Sequence, residues 1–164
     1  MLRLSKKADY ALIAMKHLAL REGRGSSSAR EIAEHYSIPV ELMAKVLQRL
    51  ARRGLLFSQQ GTRGGYHLAR GSETISVADV IQAIDGPLTV TACSAHNEQC
   101  GQFATCNVRD PLWKIRERIV TALSTCSVSE MASEQPLAPG PAAARTARPP
   151  DRTPAPVPVE PCVG

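Results

Sequence analysis

The stretch from Ser28 to Leu68 leaves this chain few architectures to choose from. Ser28-Ala29-Arg30-Glu31 has the capping-box pattern, and it opens a short helix that turns Ile32 and Ala33 inward. Tyr36-Ser37-Ile38-Pro39 then makes a turn, and the fixed φ of Pro39 suits the start of the next helix. That helix gathers Leu42, Met43, Val46, Leu47 and Leu50 on one face and stops at Gly54. Leu55-Leu56-Phe57-Ser58 and Tyr66-His67-Leu68 read as two short strands. Between them lies Gly61-Thr62-Arg63-Gly64-Gly65, a glycine-rich hairpin tip bearing one cation. Two helices across a tight turn, followed at once by a hairpin, make a winged helix-turn-helix. The expected class is mainly α with a small β-hairpin wing.

Further helices flank this unit. Ser5 can cap a first helix carrying Ala8, Leu12, Met15 and Ala19 at spacings near 3.6, which ends before Gly23, Gly25 and three serines. Ser76-Val77-Ala78-Asp79 caps another, running through Val80, Ile81 and Ile84 to Asp85-Gly86-Pro87. Asp110-Pro111 starts a longer one, with Asp as the cap and proline at the first helical position. Its seam of Leu112, Ile115, Ile119, Ala122 and Leu123 is wide enough to need a partner. DNA-reading helices usually work as symmetric pairs, so the expected partner is a second subunit and the helix a long dimerisation helix. From Gln135 onward come nine of the twelve prolines and no aromatic residue, too little apolar surface to offset the entropy of ordering. The expected organisation is a DNA-binding domain over residues 1–70, a loop and dimerisation helix over 71–133, and a Pro/Ala-rich disordered tail over 134–164.

Charge separates along the same lines. Residues 1–70 hold 13 Lys/Arg against 5 Asp/Glu, a net +8, whereas residues 71–134 hold 4 against 8, a net −4. A positive first half is the footprint of phosphate binding, in which Lys and Arg displace condensed counterions. On a winged helix it points to double-stranded promoter DNA, with the third helix in the major groove and the wing near the backbone or minor groove. The candidate DNA-binding residues are Lys45, Gln48 and Arg49 on the helix and Arg63 and Gly64 at the wing tip. Arg52 and Arg53 are expected to complement the helix C-terminus. No run of about 18 apolar residues exists, so no membrane span is expected. The charged N-terminal segment argues against a secretory signal, which makes the cytoplasm the expected compartment. No nucleophile motif or phosphate loop suggests an enzyme. His17, His35 and His67 are expected to be ordinary surface or core-edge residues.

Three cysteines, Cys93, Cys100 and Cys106, fall in a polar loop with the spacing C-x6-C-x5-C. Thiolates are soft ligands that select zinc, copper(I) or iron–sulfur clusters. Zinc usually takes closely spaced pairs such as C-x2-C, and none occurs here, while wider gaps let a loop wrap a cluster. Three thiols leave one position unfilled, for which His96 inside the loop is a reserve. A zinc-stabilised DNA-binding protein and a small iron–sulfur electron-transfer protein are the alternatives, the second disfavoured by the basic N-terminal half. Cys126, past the long helix, is expected to pack as a small hydrophobe.

With these residues in view, the chain resembles the IscR and NsrR family of bacterial winged-helix regulators, and within it the SUF-system regulator type. The resemblance runs from Leu4-Ser5-Lys6 and Asp9-Tyr10-Ala11, through Gly61-Thr62-Arg63-Gly64-Gly65-Tyr66, to Cys106 and the helix bearing Trp113. It implies a homodimer that binds promoter DNA and carries one iron–sulfur cluster per subunit, 2Fe-2S in preference to 4Fe-4S. The implied function is sensing of cluster status, with iron–sulfur assembly genes as the target. Three departures stand out. Arg109 occupies the position of a ligating histidine, the first cysteine gap is one residue longer than the common x5, and Ala44 stands where IscR-like members carry a glutamate. NsrR-like members take a carboxylate from the first helix of the partner subunit, and Asp9 stands at that position. The resemblance thus implies Asp9 as fourth ligand, with nitric-oxide sensing as the alternative function.

Overall fold

The structure is a computed structural model that describes residues 4–61, 64–89, 101–102 and 105–133. In chain order the elements are α1 (Lys6–Leu20), α2 (Ala29–His35), α3 (Val40–Arg52), β1 (Leu56–Gln59), β2 (Gly65–Leu68), a 3-10 turn (Ser72–Thr74), α4 (Val77–Asp85), α5 (Arg109–Thr125) and α6 (Val128–Ser133). Met1–Glu134 form one compact unit. The disordered tail expected over 134–164 lies outside the described residues.

Local sequence explains most of the helix ends. The Ser5 hydroxyl accepts the Ala8 N–H at 3.2 Å and caps α1. At α4 the capping box closes in both directions: Ser76 Oγ accepts from Asp79 N at 3.1 Å and Asp79 Oδ2 from Ser76 N at 3.2 Å. At α2 only half the expected box forms. Ser28 Oγ takes the Glu31 N–H at 3.1 Å, but the Glu31 carboxylate pairs with Arg21, the C-cap of α1, instead of reaching back. Pro39 is the N-cap of α3 rather than its first helical residue. The turn between α2 and α3 contains no glycine, so Ser37 adopts the left-handed conformation, φ 54°. Helix α5 begins at Arg109 with Val108 as N-cap, so Asp110 is not the cap expected of it. Asp110 pairs with Arg109, and Pro111 falls in the first turn, where its missing N–H costs no helical bond.

The hairpin pairs antiparallel in the register Leu56↔Leu68, Phe57↔His67, Ser58↔Tyr66 and Gln59↔Gly65, one residue later on the first strand than the sequence suggests. Ser27 adds a single antiparallel bridge to β2: its N–H donates to Tyr66 O at 3.0 Å, and Tyr66 N–H donates to Ser27 O at 2.8 Å. The wing is thereby tied to the residue just before the Ser28 cap of α2. Gly65 makes this approach possible, because a Cβ there would lie 2.6 Å from Ser27 O.

One core serves all these elements except α5. Ala8, Ala11, Ala14, Met15 and Leu18 of α1 cluster with Ile32, Met43, Leu47, Leu50, Val80, Ile84 and Val128, and α1 packs against α3, α4 and α6. Each large side chain fully buried there contributes roughly 1.5–3 kcal/mol. Helix α6 was not legible in the sequence, yet Val128 is among the fully buried residues and Met131 packs against the core. Two backbone bonds bring it there: Val77 N–H to Cys126 O and Val128 N–H to Ile75 O, at 2.9 and 2.8 Å. Cys126 is half-buried at this clamp rather than packed as a small hydrophobe. Helix α5 differs from the rest, since none of its residues is buried.

His17 lies deeper than a core-edge residue, at 7% exposure. Its Nδ1 is 3.3 Å from the Tyr36 hydroxyl, and its ring meets those of His35 and Tyr36 edge-on or tilted. Its Nε2 is buried with no hydrogen-bond partner among the described residues. Burial first, then the Arg21 and His35 charges, lower its pKa, and the Glu31 carboxylate opposes them. The folded state therefore binds this proton less readily than the unfolded chain does. His17 contributes stability that is fully present above about pH 6.5 and is lost as pH falls from there towards its folded pKa. Urea midpoints should drop between pH 7.5 and pH 5.5, and His17→Phe should flatten that drop. An identical drop in the variant would assign the effect to other groups.

Candidate nucleic-acid interface

Burial divides α3 cleanly. Met43, Val46, Leu47 and Leu50 face the core, and Glu41, Lys45, Gln48 and Arg52 lie on the opposite, exposed face. With 3.6 residues per turn, Glu41, Lys45, Gln48 and Arg52 fall along one line. A helix presenting this row can enter a major groove, where Lys donates to guanine, Gln serves adenine bidentately and a carboxylate accepts from cytosine. Arg52, expected only to complement the helix end, belongs to this row, and its spacing of seven from Lys45 was the available signal. Glu41 was also missed, although it sits four residues before Lys45.

Arg49 is exposed but lies to one side of the row. Its Nε donates to the backbone oxygen of Ala83 on α4 at 3.0 Å. Arg53 lines a cleft of about 370 Å³ together with Arg70, Asp79 and Gln82. Within the cleft Arg70 is paired with Asp79 at 3.1 Å.

The wing carries Phe57 at 59% exposure on its outer side, with its ring centroid 5.8 Å from that of His67. Gly64 shapes the tip: its N–H donates to Gly61 O at 2.9 Å, and a Cβ would lie 2.5 Å from Gln59 O. Arg63 lies outside the described residues.

Of the cysteine loop, Cys93, His96 and Cys100 also lie outside the described residues. Cys106 is half-buried, three residues ahead of α5, and follows a turn in which Thr105 N–H donates to Gln102 O at 3.1 Å. Arg109 Nε is 2.8 Å from Asp110 Oδ1, so the residue at the histidine position is held by a carboxylate. Asp9 is exposed in the first turn of α1, where the helix dipole favours an anion. Among the described residues no three His, Cys, Asp or Glu side chains gather around one point. No helix among them is long and apolar enough to cross a membrane.

A helix-turn-helix with an exposed row of polar and cationic side chains, flanked by a two-stranded wing, defines a DNA-binding transcriptional regulator. The chain belongs to the Rrf2 family, described as iron-dependent transcriptional regulators, whose family model matches residues 4–134. It is 33% identical over 135 residues to the HTH-type transcriptional regulator IscR of Xenorhabdus nematophila, covering 82% of this chain and 81% of that protein. The IscR of Photorhabdus laumondii is also 33% identical, with the same coverage. Among solved structures, CymR, the global cysteine regulator of B. subtilis, superposes with a TM-score of 0.67 at 27% identity, covering 81% of this chain and 98% of that one. T. potens IscR superposes with a TM-score of 0.62 at 28% identity, over 79% and 85%. These relatives are named as regulators, and the family is not an enzymatic one.

Proposed function

We propose that this regulator works as a homodimer and reports iron–sulfur cluster status to the promoters of iron–sulfur assembly genes of the SUF type. The observation that carries the reading is the position of Cys106, half-buried at the entrance to a 17-residue helix without a buried side chain. The cysteine segment thus lies between the DNA-reading unit and a helix suited to a partner subunit.

The donor chemistry fits a cluster. Cys93, Cys100 and Cys106 would supply three soft thiolates, and the Asp9 carboxylate of the partner subunit would supply the fourth donor. An oxygen donor is a poorer match to iron than sulfur, so the position held by Asp9 is the one most readily exchanged. A 2Fe-2S cluster suits this set better than 4Fe-4S. When bound, the cluster supplies redox and small-molecule sensitivity. Lys45, Gln48 and Arg52 of α3 would face base edges, and Arg63 and Gly64 of the wing would lie along the backbone or minor groove. Nitric-oxide sensing is the second reading, favoured by the exposed Asp9 and by the commitment of Arg109 to Asp110.

Anaerobically purified protein should show visible absorption and a native mass that includes iron and sulfide, and Cys106→Ala should lose both. Asp9→Ala should keep a cluster with a shifted spectrum and greater oxygen lability. On DNA, Lys45→Ala should cost about 1–3 kcal/mol and relax sequence preference. Arg63→Ala should weaken all duplexes alike and flatten the salt slope. A colourless wild-type protein that holds zinc would overturn the cluster reading, and undiminished DNA binding in both variants would overturn the docking.

A further inference from the structure

The end of α4 is a joint between two other helices. Ala83 O would ordinarily accept the N–H four residues on, but that residue is Pro87, which has none. Arg49 of α3 fills the vacancy with its Nε at 3.0 Å, a cationic donor at a helix C-terminus, where the dipole favours it. Two residues later Asp85, the last residue of α4, faces the other way. Its carboxylate accepts from Ser5 N at 3.0 Å and from Ser5 Oγ at 2.5 Å. A carboxylate at the end of its own helix is poorly placed for that dipole, but here it meets the positive start of α1. Ser5 Oγ in turn accepts the Ala8 N–H, in the same first turn that carries Asp9. The last turn of α4 is therefore hydrogen-bonded to the recognition helix through Ala83 and to the opening turn of α1 through Asp85, with only two residues of backbone from one to the other.

We propose that Arg49 is a positioning residue and not a base-reading one. It fixes α3 against the end of α4, and with Asp85 it links the set of the recognition helix to the first turn of α1. The link deepens the regulatory reading given above and rests on it only where it reaches DNA. Arg49 is the one cation of α3 whose side chain bonds to α4 among the described interactions, and it lies beside the Glu41–Arg52 row rather than in it.

The DNA probe is a labelled duplex that wild-type protein selects from a random-sequence library, together with its single-position variants. Arg49→Ala should bind every duplex about tenfold more weakly, as the loss of one charge-assisted bond implies. The rank order of the panel and the salt slope should not change. Arg49→Lys, which keeps a cationic donor, should recover part of the affinity. Loss of discrimination at one base pair would make Arg49 a base reader, and a salt slope smaller by about 0.9 would make it a phosphate contact. Either result overturns the proposal.

Hydrogen exchange in cluster-free protein without DNA supplies a second arm. Exchange at Ala8 and Asp9 should rise several-fold in Asp85→Asn and also in Arg49→Ala or Arg49→Lys, whichever stays folded by thermal unfolding. Unchanged exchange at those amides in the Arg49 variants would break the link. A wild-type protein that selects no duplex would overturn the DNA reading, and the exchange arm would still decide the joint.

Discussion

Ile115→Asp should give a folded monomer. The residue is 46% exposed in the single chain, so a carboxylate there is hydrated and costs the monomer little. Leu112, Ile115, Ile119 and Leu123 recur along α5 at helical spacing, with Trp113 and Val108 exposed beside them, 37% and 53% respectively. Seventeen residues without a buried side chain are hard to reconcile with a helix that works alone. In a two-fold seam each substitution enters twice, and every buried unpaired carboxylate costs several kcal/mol. Dimer affinity should therefore fall by roughly three orders of magnitude or more. Sedimentation at micromolar concentration reads the effect directly, and binding to a palindromic duplex should weaken with it. A variant that still sediments as a dimer would place the subunit contact elsewhere.

Gly65→Ala should cost the wing its attachment. The added methyl carbon would lie 2.6 Å from Ser27 O, 2.7 Å from Ser27 C and 3.0 Å from Ser28 N, all backbone atoms with no flexible side chain to yield. Either β2 or the Ser27 segment has to move, and both hydrogen bonds between Ser27 and Tyr66 stretch or break. Overpacking of this kind costs about 1–3 kcal/mol, and the lost bonds add about 1 kcal/mol each. The urea midpoint should drop accordingly, and sequence-specific DNA binding should drop further than stability does, because the wing is re-aimed. An unchanged midpoint would mean that the segment shifts freely and that Gly65 is not required.

What the sequence revealed and what it hid separate on physical grounds. The helix-turn-helix and its flanking helices were legible because each signal is local: Ser5, Ser28 and Ser76 at helix starts, Gly54 at a stop, apolar residues at 3.6 spacing. The hairpin was legible from its glycines. Long-range partners were not. Ser27 pairs with Tyr66, Asp85 with Ser5, and Arg49 with Ala83, and a single chain read in windows carries no trace of the first two. The third had a faint signal, since a carbonyl four residues before a proline lacks its usual donor. Helix α6 was missed for a related reason, its short Val128–Ser133 run gaining its place from the clamp at Ile75 and Cys126. Of the site, Lys45, Gln48 and Arg49 were read as the exposed face of α3 and all three are exposed, while Arg52, one turn on from Gln48, was assigned to the helix end and also falls on that face. Asp9 and Cys106 fall where they are accessible, and the rest of the cysteine set lies outside the described residues.

The clamp between residues 75–77 and 126–128 has a further consequence. All the described core residues come from Ala8 to Ile84 and from Val128, so the chain leaves the core at the end of α4 and returns at the start of α4. Helix α5 thus belongs to an excursion closed at its base by those two backbone bonds, and none of the described core residues comes from it. In a zinc finger, removal of the metal removes the fold. Here no described core side chain comes from the segment between Ile84 and Val128, so a substitution there should leave the urea midpoint nearly unchanged. The same closure makes the excursion exchangeable: a different segment could be spliced between the same two anchor points while the helix-turn-helix and its wing keep their core.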